Sequence, residues 1–109
     1  MDHADFAALL PSEQRRHIDA AVAAFPFPAR LISFTHGCGR HTYAALEITR
    51  TNLPDESATF LVCPQNLASY PTGQPSQPRV FRSSVYLGEG RYRMTEREAV
   101  SDMYDRANR

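Results

Sequence analysis

Residues 64–78 read PQNLASYPTGQPSQP, and this stretch limits the chain's architecture more than any other. Pro64, Pro71, Pro75 and Pro78 each lack a backbone N–H, and Gly73 adds conformational freedom. No regular element runs through such a segment. A connection of about 15 residues exceeds the usual span between elements in a compact domain, and loops of that length commonly carry function. The chain therefore reads as one domain, 1–109, with this long proline-rich loop inside it. Tyr70, midway along the loop, is a candidate anchor for a partner.

Two amphipathic helices flank the rest. In SEQRRHIDAAVAAF, Ile18, Ala21, Val22 and Phe25 recur at helical spacing, and Pro26 and Pro28 end the run. FAALL, Phe6 to Leu10, adds a turn ahead of it. Near the other end Thr95 and Glu98 form a capping box, followed by an apolar stripe of Val100, Met103, Tyr104 and Ala107.

Strand patterns fill the interval. Arg30–His36 and His41–Thr51 alternate and are rich in β-branched and aromatic residues. A two-residue turn at Cys38-Gly39 sets Gly37 opposite Arg40, His36 opposite His41, Phe34 opposite Tyr43, Ile32 opposite Ala45 and Arg30 opposite Glu47. The last pair has opposite charges, which favours this register. Ser57–Cys63 is a short apolar strand. Arg79–Thr95 reads as a hairpin turning at Glu89-Gly90, with Phe81, Val85, Leu87, Tyr92 and Met94 on one face. Arg82, Ser84, Tyr86, Arg91 and Arg93 lie on the other, wet face. The expected fold is α+β: an antiparallel sheet of about five strands flanked by an N-terminal and a C-terminal helix, with the helices on one face.

Charge excludes several functions. The formal net charge is zero, and the basic side is entirely arginine. No overall field draws the chain to nucleic acid or membrane. No run approaches the roughly 20 apolar residues of a membrane span. The acidic start, MDHADFAALL, is unlike a secretory signal. Two cysteines are too few for a disulfide scaffold, so a cytoplasmic location is expected, with a single Cys38–Cys63 bridge left open.

Two sets of residues carry candidate chemistry. His36, Cys38, His41 and Cys63 are of the types that hold tetrahedral zinc, although H-x-C-x2-H lacks the second close pair of common zinc motifs. Cys38 beside histidines also has the makings of a nucleophile, but a glycine-flanked turn positions it poorly. The second set is Arg82, Tyr86, Arg91 and Arg93. Arginine and tyrosine on a sheet suit phosphates and bases, and they suit protein interfaces equally. The neutral chain favours protein.

The sequence thus points to a small non-enzymatic protein-binding or inhibitory protein without a cofactor. Its partner-binding residues are Arg82, Tyr86, Arg91, Arg93 and Tyr70, and its partner is a protein with an acidic or phosphate-binding surface. The size suits inhibitors carried by phages and mobile elements. The alternative is a zinc- or nucleic-acid-binding module using His36, Cys38, His41 and Cys63, or the arginine face.

Overall fold

The structure is a computed structural model describing residues 3–37, 41–50, 52–64 and 85–108. Three helices, α1 (His3–Ala7), α2 (Pro11–Ala23) and α3 (Glu96–Ala107), accompany four strands, β1 (Ala29–His36), β2 (Thr42–Ile48), β3 (Glu56–Pro64) and β4 (Val85–Met94). The strands form one antiparallel sheet in the order β1-β2-β3-β4. The α+β class with a helix at either end of the chain is as expected, with four strands among the described residues where about five were expected. Arg79–Ser84, read as part of a strand, lies outside the described residues.

The helices do not share a face. Phe6 of α1 and Ile18, Ala21 and Val22 of α2 pack with Leu46, Ile48, Phe60, Val62 and Val85 on one side of the sheet. Ala99 and Met103 of α3 pack with Ala45, Ile32 and Tyr43 on the other. Both faces of the central strands are therefore covered. Ala44, Ala45 and Leu46 are consecutive and all fully buried, which strict apolar/polar alternation does not allow for.

Proline sets the start of α2, where Pro11 occupies the first turn and its missing N–H costs nothing. At α3 the capping box forms as read: Thr95 accepts from the Glu98 N–H at 3.1 Å, and Glu98 accepts from the Thr95 N–H at 3.0 Å. The predicted apolar stripe needs one correction. Met103 and Ala107 are buried, but Tyr104 is exposed and Arg106 is buried in its place.

The β1–β2 register is right at one end and wrong at the other. Arg30 lies opposite Glu47, with their side chains 3.3 Å apart. A bulge between Leu31 and Ser33 then shifts the pairing by one residue, so His36 faces Thr42 rather than His41, and Phe34 faces Ala44 rather than Tyr43. The Gly37 N–H donates to the His41 carbonyl at 2.7 Å, so Gly37 pairs with His41 and not with Arg40. The predicted turn residues Cys38 and Gly39 lie outside the described residues. The bulge has a packing cause. It sends Ile32 to the α3 side while Leu31 and Phe34 both stay against α2.

The hairpin at Glu89-Gly90 is also corrected. Val85–Met94 is one continuous strand along β3, with register shifts between Ser57 and Thr59 and between Thr59 and Leu61. Glu89 and Arg93 absorb the shifts with φ of 49° and 64°. Gly90 is needed for close approach, not for a turn: a Cβ there would stand 2.7 Å from the Phe60 ring.

Candidate functional site

The residues of the arginine face meet different fates along β4. Arg91 points to the α3 side, where its guanidinium lies 3.0 Å from the Asp102 carboxylate. Asp102 also accepts from the Thr59 hydroxyl at 2.6 Å. Arg106 completes this network from α3. It donates to the Thr59 carbonyl and hydroxyl at 3.3 and 3.1 Å and to the Glu89 carbonyl at 2.8 Å, and it lies over the Tyr43 ring at 4.9 Å. Burial and the neighbouring Arg91 lower its pKa from the ordinary guanidinium value. Arg91 is thus ion-paired to α3 while its side chain stays 45% exposed.

Tyr86 is exposed at the opposite end of β4, across from Cys63. Cys63 is a free thiol, its pKa raised mainly by burial, and the Tyr86 phenol is raised by its hydrogen bond with that thiol. Seven residues separate Tyr86 from Arg93, about 20 Å along a strand, so the two do not form one patch. Arg82 and Tyr70 lie outside the described residues.

Arg93 belongs to a different cluster, which the sequence reading missed. Arg50, just past β2, places its guanidinium 4.9 Å from the Phe27 ring centre and 5.7 Å from that of Tyr92. Glu56 holds it from the side at 3.0 Å and also accepts the Arg93 backbone N–H at 2.8 Å. Tyr92 in turn stands edge-on to buried Phe60, with centroids 5.5 Å apart. Beside the stack, Arg50, Leu53, Glu56, Arg93, Met94 and Glu98 line an open cavity of about 530 Å³. Phe27, Leu53 and Tyr92 remain 41%, 57% and 43% exposed. The sequence signal was faint: an FPFP turn, an Arg after β2 and a tyrosine assigned to the core face.

The metal reading is also redistributed. His36 is engaged by its neighbours: Nδ1 lies 2.6 Å from the Thr42 hydroxyl and Nε2 lies 2.9 Å from Gln14 Oε1. Gln14 donates its amide to the Phe6 and Ala7 carbonyls at 3.0 and 3.3 Å, which fixes its oxygen toward His36. His36 is therefore the Nε2–H tautomer when neutral. Burial lowers its pKa from the ordinary value. His41 contacts His3 and not His36. Among the described residues no three His, Cys, Asp or Glu side chains converge as ligands, and Cys38 lies outside those residues.

No helix among the described residues is long and apolar enough to cross a membrane. Comparison with protein-family models, with curated proteins and with solved structures found no match.

Proposed function

We propose that this chain is a small non-enzymatic binding protein that docks on another protein, with inhibition as its biological effect. The observation that carries the reading is the Phe27–Arg50–Tyr92 stack. Its arginine is fixed by Glu56 and its two aromatic rings pack against Phe25 and Phe60, yet both aromatic residues stay about two fifths exposed. Pre-ordered aromatic and arginine side chains lose little conformational freedom on binding and dominate interface energetics. Leu53 extends the apolar surface, and Arg93 supplies a positive charge at the rim of a cavity also lined by Asp55, Glu56 and Glu98. Of the five partner-binding residues read from sequence, Arg93 joins this patch. Tyr86 and the ion-paired Arg91 belong elsewhere.

Site-specific photocrosslinking tests the proposal. A benzophenone side chain is placed at Tyr92, and at the equally exposed Tyr104 of α3 as a control. The expected result is one discrete adduct with a host protein from position 92, absent from position 104 and lost when Leu53→Asp is added. Adducts of equal yield from both positions would remove the patch as the docking surface.

A further inference from the structure

We propose that the part of the partner seated on the Phe27–Arg50–Tyr92 patch is an extended, proline-rich segment in the polyproline II conformation, with a basic residue beside its prolines. This names the ligand class of the docking surface and rests on that reading of the patch.

The surface matches what such a segment presents. A polyproline II strand makes no internal hydrogen bonds, so its carbonyls stay open, and its prolines bring apolar rings and no N–H groups. Its receptors are grooves lined by exposed aromatic side chains. Here Phe27, with Pro26 and Pro28 on either side, and Tyr92 supply two such rings. Their centres lie 4.9 and 5.7 Å from the Arg50 guanidinium carbon, so they stand no further apart than those two distances laid end to end, 10.6 Å. One turn of polyproline II spans about 9.3 Å, three residues at about 3.1 Å each, and can rest on both rings. Donors for the open carbonyls stand beside them. Arg93 makes its structural bond through its backbone N–H, and its guanidinium meets no acceptor among the described residues. The Tyr92 phenol is a second donor.

Charge decides the flank. Glu56 already matches Arg50 at 3.0 Å, which leaves Asp55 and Glu98 against Arg93 in the cavity lining. Glu98 spends one oxygen on the Thr95 N–H, and Asp55 is exposed. An arginine or lysine next to the prolines lays its apolar stem on Leu53, Pro54 and Met94 and carries its cation to these carboxylates. An acidic flank would meet them as like charges. The assignment therefore departs from the acidic partner surface expected from sequence. The platform is also pre-ordered. The Thr49 N–H bonds the Pro28 carbonyl at 2.9 Å, which ties the Phe27 turn to the end of β2, and Asn52, with a φ of 62°, turns the chain that presents Leu53. A fixed surface and a ligand that is already extended both lose little freedom on association.

Nuclear magnetic resonance titration of the isotope-labelled full chain tests the assignment. The probe is a synthetic oligoproline peptide, amidated and ending in arginine. One comparison peptide ends in glutamate instead, and another replaces the prolines with alternating glycine and serine. The expected result is saturable shifts of the Phe27, Leu53 and Tyr92 amides and none at Tyr104, with the arginine peptide binding several-fold more tightly than the glutamate peptide. Tyr92→Ala should weaken binding about tenfold or more, as loss of an interface anchor does. Phe27→Ala, at an exposed turn, should do the same without touching the Phe60 contact, and Asp55→Asn should narrow the gap between the arginine and glutamate peptides. No saturable shifts, equal affinity for the arginine and glutamate peptides, or equal binding of the glycine-serine peptide would overturn the assignment. The docking reading is judged separately: a discrete adduct at position 92 that excess arginine peptide does not suppress would remove the proline-rich ligand and leave the docking surface standing.

Discussion

The buried guanidinium of Arg106 donates to the carbonyl of Glu89 at 2.8 Å, where Glu89 has a φ of 49°. This bond joins the last turn of α3 to the irregular middle of β4. A bulge leaves its backbone groups out of the ladder, and a fixed donor compensates for that loss. The same guanidinium serves Thr59 of β3, so one side chain ties α3 to two strands.

Arg106→Ala should therefore be among the most destabilising single changes. It leaves the Thr59 and Glu89 carbonyls short of a donor beneath α3, a loss of about 3 kcal/mol. Arg106→Lys should recover little of this, because an ammonium cannot span the same acceptors as a planar fork. Urea denaturation of the three proteins measures both differences.

Gly90 separates a strand from a turn. In a type I′ hairpin Asn is tolerated where Gly stands. Here any side chain meets the Phe60 and Tyr92 rings within 3 Å. Gly90→Asn should cost about 1–3 kcal/mol through overpacking, and thermal unfolding would show it. An unchanged melting temperature would restore the hairpin.

Charge reversal at Arg91 and at Arg93 should have different effects. Arg91→Glu sets a carboxylate beside Asp102 and lowers stability. Arg93→Glu changes a cavity-rim side chain whose structural bond is made by its backbone N–H, so stability should stay within about 0.5 kcal/mol. Melting curves of the two single variants test the contrast.

Stability should fall with acid through His36. Burial lowers its folded pKa, so the unfolded chain takes up the proton first. Its contribution is intact above the unfolded value of about 6.5 and is lost as pH falls from there through the folded value. The urea midpoint of the wild type should drop between pH 7 and 5.5, and His36→Gln should drop less. Glu98 acts in a separate window. The Thr95 backbone hydrogen bond lowers its pKa, so its contribution is lost only below the ordinary carboxylate range.

Helices α2 and α3 were legible because local signals decide them: the Ile18–Val22 spacing with Pro26 and Pro28 beyond it for α2, and Thr95 with Glu98 for α3. The strands were legible as extended segments, but their register was not. Ile32 bulges to reach Met103 and Ala99, and no pattern within β1 records a helix some 65 positions later. The GEG of β4 carries a turn signature, yet Phe60 and Arg106 claim those residues for the sheet. The proposed docking patch was hidden for the same reason. Phe27, Arg50 and Tyr92 come from three separate connections and edges, and only Arg93 could be picked out as a surface arginine. Long-range packing overrode local propensity at each of these points.

The most direct measurement of the docking surface compares the wild type with the Leu53→Asp, Arg93→Glu double variant, for binding to the crosslinked partner once purified and for thermal stability. Both residues are surface positions, so the melting temperature should move by no more than a few degrees, roughly the effect of 0.5 kcal/mol in a domain of this size. Affinity should fall about 30-fold or more, as loss of an interface anchor does. Unchanged affinity in a folded double variant would contradict the account, because the Phe27–Arg50–Tyr92 surface would then not be where the partner binds.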